Sequence, residues 1–240
     1  MRRALPLLFL LVFAAACTTG PQLSDDCAAN ALCAARAAEP PLILAAKDLA
    51  ERKGDDLFLK PRNAPPITFT DHKAACDTGD ADRCDGFAFM GAFPKPGALV
   101  VQQFFYEGSN FIFIDQDSGK RIRLAAMPVF SPDGQRFLVA PYDLENDIGP
   151  NNLEIWRREG DGAVLEWAHT LAQTHAEDPS LPLPYQVKVQ SWSGDRIKLS
   201  LFTDVPEKRR WRGTLVRSAD GWQLSAQSPP GTFPPEQPGS

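Results

Sequence analysis

From Leu57 onward the chain alternates short apolar runs with clusters of Gly, Pro, Asp and Asn. The runs are Leu57–Leu59, Ile67–Thr70, Phe87–Met90, Leu99–Tyr106, Phe111–Ile114, Ile122–Leu124, Phe137–Ala140, Leu153–Trp156, Val164–Trp167, Tyr185–Val189, Ile197–Phe202, Gly213–Val216 and Trp222–Leu224. Runs of this length between turn formers predict strands, and thirteen of them predict an all-β body over residues 57–226. Phe111-Ile112-Phe113-Ile114 is apolar at every position, so both faces of that strand must be covered, as they are when sheets stack on one another. Residues 17–56 read differently. They begin polar, become Ala-rich through Ala28–Ala38, break at Pro40-Pro41, and resume with helical spacing at Leu42, Ala45, Ala46 and Leu49 within Leu42–Lys53. A tether with one or two short helices is expected, with Leu42–Glu51 packed on the body as a cap as the alternative. Residues 227–240 contain five Pro and predict an extended, disordered tail.

Composition sharpens this picture. The 22 Pro and 17 Gly argue against a helical fold, while 43% apolar and 23% charged residues suit a chain that buries a core. The formal charge is −5, with no long basic run, which sets nucleic acid aside as a partner.

At the N-terminus, Arg2 and Arg3 precede an apolar run from Ala4 to Phe13 interrupted by Pro6. The stretch is too short for a spanning helix and reads as a signal peptide over residues 1–16. Ala14, Ala15 and Ala16 directly before Cys17 resemble the lipobox of bacterial lipoproteins, with Ala14 where that family most often has Leu. The resemblance implies that Cys17 is diacylated and becomes the new N-terminus. Thr18 in place of Asp then favours the periplasmic face of the outer membrane. Ordinary secretion, with Cys17 a plain thiol, is the alternative. Removing Arg2 and Arg3 from the 25 basic residues leaves 23 against 30 acidic, a formal −7.

Beyond Cys17 an even number of cysteines remains: Cys27, Cys33, Cys76 and Cys84. In an oxidising compartment these predict two disulfides. Three connectivities are open, and the two local pairs are preferred because each closes a short loop, although a helix through residues 26–38 would point Cys27 and Cys33 at different faces. No CxxC or HxH spacing suggests zinc.

Residues 110–140 set the architecture. Phe111–Asp115, Ser118-Gly119, Ile122–Leu124, Phe130-Ser131-Pro132-Asp133-Gly134 and Phe137–Ala140 follow in that order. This resembles the TolB-type, WD-like β-propeller repeat: a strand ending in Asp, a Gly turn, a strand ending in Leu, then an aromatic-Ser-Pro-Asp-Gly turn opening the next blade. Pro132 suits the first corner of a type I turn, Asp133 the second, and Gly134 the positive-φ exit. Weaker echoes are Trp192–Leu199, Leu153–Trp156 with Asp161-Gly162, and Leu215-Val216 with Asp220-Gly221. The resemblance implies a small propeller-like domain of about four antiparallel blades, closed or incomplete, with a sandwich as the rival.

Candidate chemistry is sparse. GxSxG, HExxH, GxxxxGK[ST] and GxGxxG are absent, and no cofactor is expected. His72, His169 and His175 are isolated. Asp77, Asp80, Asp82 and Asp85, around the Cys76–Cys84 segment, are weak calcium candidates without the EF-hand spacing. Lys208-Arg209-Arg210-Trp211-Arg212 is the one basic patch, either a grip for an anionic glycan or lipid headgroup or a hairpin with exposed charges and one inward Trp. The insert Asp143–Asn152 is a candidate rim loop. The expectation is a lipid-anchored periplasmic binding or scaffold protein, non-catalytic, contacting the membrane through Cys17 and an envelope protein or glycan through its body. Two other classes remain open: a hydrolase or glycan-binding enzyme whose mouth joins a histidine to two carboxylates, and an inhibitor acting through the Cys76–Cys84 loop.

Overall fold

The computed structural model describes residues 30–106, 108–141, 152–170, 186–203 and 209–226. Helix α1 (Ala31–Ala45) leads into a first sheet of three antiparallel strands, β1 (Ala50–Lys53), β2 (Asp56–Leu59) and β3 (Ile67–Thr70). A short helix α2 (Lys73–Asp77) and a 3-10 turn (Ala81–Arg83) follow. Three four-stranded antiparallel meanders complete the body. The second sheet holds β4 (Gly86–Phe93), β5 (Ala98–Phe105), β6 (Gly108–Asp115) and β7 (Arg121–Leu124). The third holds β8 (Val129–Phe130), β9 (Arg136–Val139), β10 (Asn152–Glu159) and β11 (Gly162–Thr170), and the fourth β12 (Gln186–Ser193), β13 (Arg196–Thr203), β14 (Arg209–Ser218) and β15 (Gly221–Ala226). Each of the thirteen apolar runs overlaps one strand; Tyr106 and Ala140 fall just past the ends of theirs, and Tyr185 lies outside the described residues. Among the described residues, no helix is long and apolar enough to cross a membrane.

The sheets stack in chain order, and the side-chain alternation of each middle sheet divides its residues between two cores. Leu57, Leu59, Ile67 and Phe69 of the first sheet pack with Phe87, Phe89, Leu99, Val101, Ile112 and Ile114 of the second. Phe113, one residue out of phase with Ile112 and Ile114, points the other way and joins Ala98, Phe137 and Val139 in the next layer. Its ring stacks on Phe137 at 5.1 Å, and Phe137 stacks on Trp156 at 6.1 Å. Leu138 in turn faces away from Phe137 and meets Ile155, Ile197, Leu199 and Leu201 between the third and fourth sheets. The all-apolar run 111–114 is thus a strand covered on both faces.

The N-terminal segment departs from the expected tether in two ways. Helix α1 runs without a break through Pro40 and Pro41. Interior prolines cost a helix about 3 kcal/mol or more, and here tertiary anchoring supplies the compensation. Glu39, only 3% exposed, accepts the Phe89 N–H at 2.7 Å and is paired with Arg52 at 2.8 Å. The second departure is β1: Ala50–Lys53 was expected to continue the second helix, yet it pairs with β2 and buries Ala50. The helical spacing at Leu42, Ala46 and Leu49 instead brings these residues onto the first core.

The same anchoring closes an edge. Among the described residues, strand β4 has β5 on one side and no strand on the other. Along that open side Asp71 accepts the Phe87 N–H at 2.8 Å, Glu39 accepts the Phe89 N–H, and Arg52 donates to the Phe87 carbonyl at 2.7 Å. Arg36 pairs with Asp71 and donates to the Phe87 carbonyl at 3.4 Å. Four side chains therefore satisfy backbone groups that would otherwise offer a template for another strand.

Candidate functional site

The described cleft lies where the first sheet, with three short strands, stops short of the fourth strand of the second. It encloses about 340 Å³ and is lined by Phe69, Phe87, Gln103, Ile112, Arg121 and Arg123. Register explains the set: Ile112 sits opposite Arg123 and Ile114 opposite Arg121, so the β7 arginines share the face that β3 covers further along. Phe69, Phe87 and Ile112 are buried and form an apolar floor, whereas Arg121 and Arg123 are exposed. The Arg121 guanidinium lies 5.5 Å from the Phe69 ring centroid. Gln103 donates to Asp85 at 2.7 Å, and its own carbonyl oxygen is buried without a partner among the described residues. Two guanidiniums over an apolar floor suit an anionic group carried on an apolar body. Among the described residues, no histidine or carboxylate lines the cleft.

The ionisable groups inside the body are used between sheets. Asp115, 2% exposed, ends β6 and accepts from the backbone N–H groups of Ser118 at 2.8 Å and Asp117 at 3.0 Å. Arg158 of the third sheet reaches it at 2.6 Å while lying 5.4 Å from the Phe113 ring centroid. Burial opposes the charge of Asp115, but the Ser118 N–H and hydroxyl, then Arg158, outweigh it and hold the carboxyl below its ordinary value. Glu166 does the same at the next junction: Arg136 pairs with it at 2.6 Å, and Trp222 and Arg217 of the fourth sheet reach it at 3.3 and 3.4 Å. There too burial is overcome, first by Arg136 and then by Trp222, and the pKa is lowered.

The repeat turn has the geometry expected from its residues. The Gly134 N–H donates to the Ser131 carbonyl at 2.9 Å, the Gln135 N–H to Asp133 at 2.9 Å, and Gly134 has a φ of 73°. The Ser131 hydroxyl, first among the causes, and the Gln135 N–H lower the Asp133 pKa. Pro132 occupies the corner between them. These four residues are structural, joining β8 to β9.

The remaining candidates do not converge. Cys33 and Cys84 are each disulfide-bonded. Cys17 and Cys27, and the side chains of Cys76, Asp77 and Arg209, lie outside what the structure describes, as do His175, Lys208, the insert Asp143–Asn152 apart from Asn152, and the tail 227–240. Of the calcium candidates, Asp80 pairs with Arg83 at 2.5 Å, Asp85 is held by Gln103, and Asp82 is exposed. Among the described residues no group of three or more His, Cys, Asp or Glu is placed to hold a metal ion. His72 is exposed, and His169 stacks on Trp167 at 5.9 Å. The basic patch is split by strand alternation: Trp211 is buried in the third core, and Arg210 and Arg212 are exposed on the other face of β14. The cleft itself was not foreseen. Arg121-Ile122-Arg123-Leu124 predicts a strand, but only the pairing of β7 beside an incomplete first sheet makes a cleft of it.

No family model matches this chain, and neither does any curated protein or solved structure.

Proposed function

We propose that this chain is a non-catalytic binding or scaffold protein of the bacterial envelope, anchored through a lipid on Cys17 to the periplasmic face of the outer membrane. The observation that carries the non-catalytic reading is the lining of the cleft. It offers apolar surface and two exposed guanidiniums, with no nucleophile, acid or base among the described residues that line it, so it suits retention of an anionic partner group and not its transformation. Such a body would present surfaces held rigid by the inter-sheet ion pairs.

The propeller-like reading draws its support from turn position. Ser131–Gly134 and Gly194-Asp195 each join the first and second strands of a four-stranded sheet. Asp115–Gly119, Asp161-Gly162 and Asp220-Gly221 each join the third and fourth. Related turns at related places are what a repeated blade requires. On this reading the three meanders are blades and the first sheet is a shortened one.

The anchor is tested by labelling cells with radioactive palmitate and fractionating them. The wild type should carry label and sediment with outer membranes, and Cys17→Ser should lose both properties. Membrane retention of unlabelled protein would sink the anchor. For the binding role, a photocrosslinking residue at Arg121 or Arg123 in intact cells should trap a reproducible envelope component. Failure to trap any, with the protein folded and correctly located, would count against a partner at the cleft.

A further inference from the structure

We infer that the outward face of the fourth sheet is a docking surface for an anionic phospholipid bilayer. Strand alternation and register place two kinds of residue on the two faces of this sheet. Val187, Val189, Trp192, Ile197, Leu199, Leu201, Trp211 and Leu215 turn inward to the third sheet. On the opposite face the pairings give four rows: Gln186, Phe202 and Arg210; Lys188, Ser200 and Arg212; Ser191, Lys198, Thr214 and Ser225; Ser193, Arg196, Val216 and Gln223. Five of these are cations, and none is Asp or Glu. Lys188, Arg196, Lys198, Arg210 and Arg212 are all exposed.

In a chain with 30 acidic and 25 basic residues, a whole sheet face without a carboxylate is a segregation of charge. The nearest acidic residue on the adjoining turn, Asp195, pairs with Arg217, which extends from the inward side. Arg210 lies 6.0 Å from the Phe202 ring centroid. No carboxylate among the described residues pairs with any of the five.

The shape of the charge distribution favours a surface over a small ligand. Strands about 4.8 Å apart place Lys188 and Arg212, on either side of Ser200, roughly 10 Å apart, and the five cations spread over all four rows save for the hydroxyl positions between them. Each Lys or Arg held near an anionic bilayer contributes about a fivefold increase in partitioning. Phe202 and Val216 give little apolar surface to insert, so attachment would be electrostatic and reversible by salt. The location rests on the proposed anchor: the thirteen Cα-to-Cα steps from Cys17 to Asn30 span at most about 45 Å, against roughly 30 Å across four stacked sheets. The charge of the face does not depend on it.

The test uses the mature chain from residue 17 carrying Cys17→Ser, so that no lipid contributes and a failed anchor cannot be mistaken for a failed face. Co-sedimentation is measured with vesicles of phosphatidylcholine alone and with roughly one-third phosphatidylglycerol. Binding is expected to the anionic vesicles alone, to be lost on raising salt from about 0.1 M to about 1 M, and to weaken about 100-fold in Lys198→Gln/Arg210→Gln/Arg212→Gln. Equal binding to neutral vesicles, or survival of binding in high salt, overturns the inference independently of any variant. So does unchanged binding by a triple variant that melts at the wild-type temperature. Binding of dextran sulfate with no binding to anionic vesicles also overturns it, and would assign the face to a soluble polyanion.

Discussion

Asp115 and Arg158 provide a direct test of whether buried ion pairs join neighbouring sheets. The carboxylate is 2% exposed, and the guanidinium, 15% exposed, reaches it at 2.6 Å from the third sheet. Asp115→Ala removes the pair and strands Arg158, whose Nη1 already lacks a partner among the described residues. Breaking a buried pair in this way costs about 3–5 kcal/mol, or a fall in Tm of roughly 10 °C for a chain of this size. Arg158→Met should cost less, about 1.5–3 kcal/mol, because Asp115 keeps the two N–H groups and the hydroxyl of its turn. Asp117 is exposed and Ser118 half-buried, so water can take over their N–H groups when the carboxylate is gone. Most of the Asp115→Ala loss is then the stranded guanidinium. The double variant no longer strands a guanidinium and should therefore be more stable than Asp115→Ala alone, with a coupling energy of at least about 1.5 kcal/mol in a double-mutant cycle from urea unfolding. If the two losses add to within about 0.5 kcal/mol, Asp115 serves its own turn alone and the inter-sheet argument fails.

Two further outcomes follow from the same geometry. Gly134→Ala forces a positive φ on Ala and puts its Cβ 2.8 Å from the Pro96 nitrogen, whereas Gly160→Ala, at φ 57°, meets nothing within 4 Å. Thermal melts should show a loss of about 1 kcal/mol at Gly160 and distinctly more at Gly134; equal losses would mean that the repeat turn does not abut the β4–β5 turn. For pH, Asp115 and Glu166 have folded pKa values below their ordinary 3.8 and 4.5, so the unfolded chain takes up protons first as pH falls. Their contribution is complete above about pH 5 and is lost as pH drops through the lowered values. Glu166→Gln should accordingly be less stable than wild type at pH 7, with a gap that narrows towards pH 3 in urea titrations; a constant gap would remove the linkage.

Thirteen of the strands were legible in the sequence because short apolar runs ended in turn formers, and the covered strand at Phe111–Ile114 foretold stacking. Strand β1, Ala-Glu-Arg-Lys, gave no such signal: its pairing rests on a buried Ala50 and on Arg52 reaching Glu39 and Phe87, contacts that local propensity cannot register. The uninterrupted helix through Pro40-Pro41 escaped for the same reason, since Glu39 is fixed by β4 and β1, distant in the chain. For the basic run at 208–212 the hairpin with one inward Trp is the reading that holds: alternation sends Trp211 to the core and leaves Arg210 and Arg212 outside. The cations that accompany them, Lys188, Arg196 and Lys198, are scattered in sequence and meet only through the pairing of β12, β13 and β14.

Apolar layers fill every junction of the stack, but hydrophobic attraction is non-directional and does not by itself fix how one sheet is rotated on the next. At each junction a carboxylate supplies direction: buried Glu39 and Asp71 between the first and second sheets, buried Asp115 between the second and third, half-buried Glu166 between the third and fourth. Each is met by guanidiniums, so the charge is satisfied and positions its neighbours at once. The outward face of the fourth sheet has neither ingredient. Covering it with another apolar sheet would strip water from five cations with no carboxylate to receive them, at several kcal/mol per ion. The residues that end the stack there are therefore the same ones that leave a cationic face open to solvent, and its occupant must bring the negative charge.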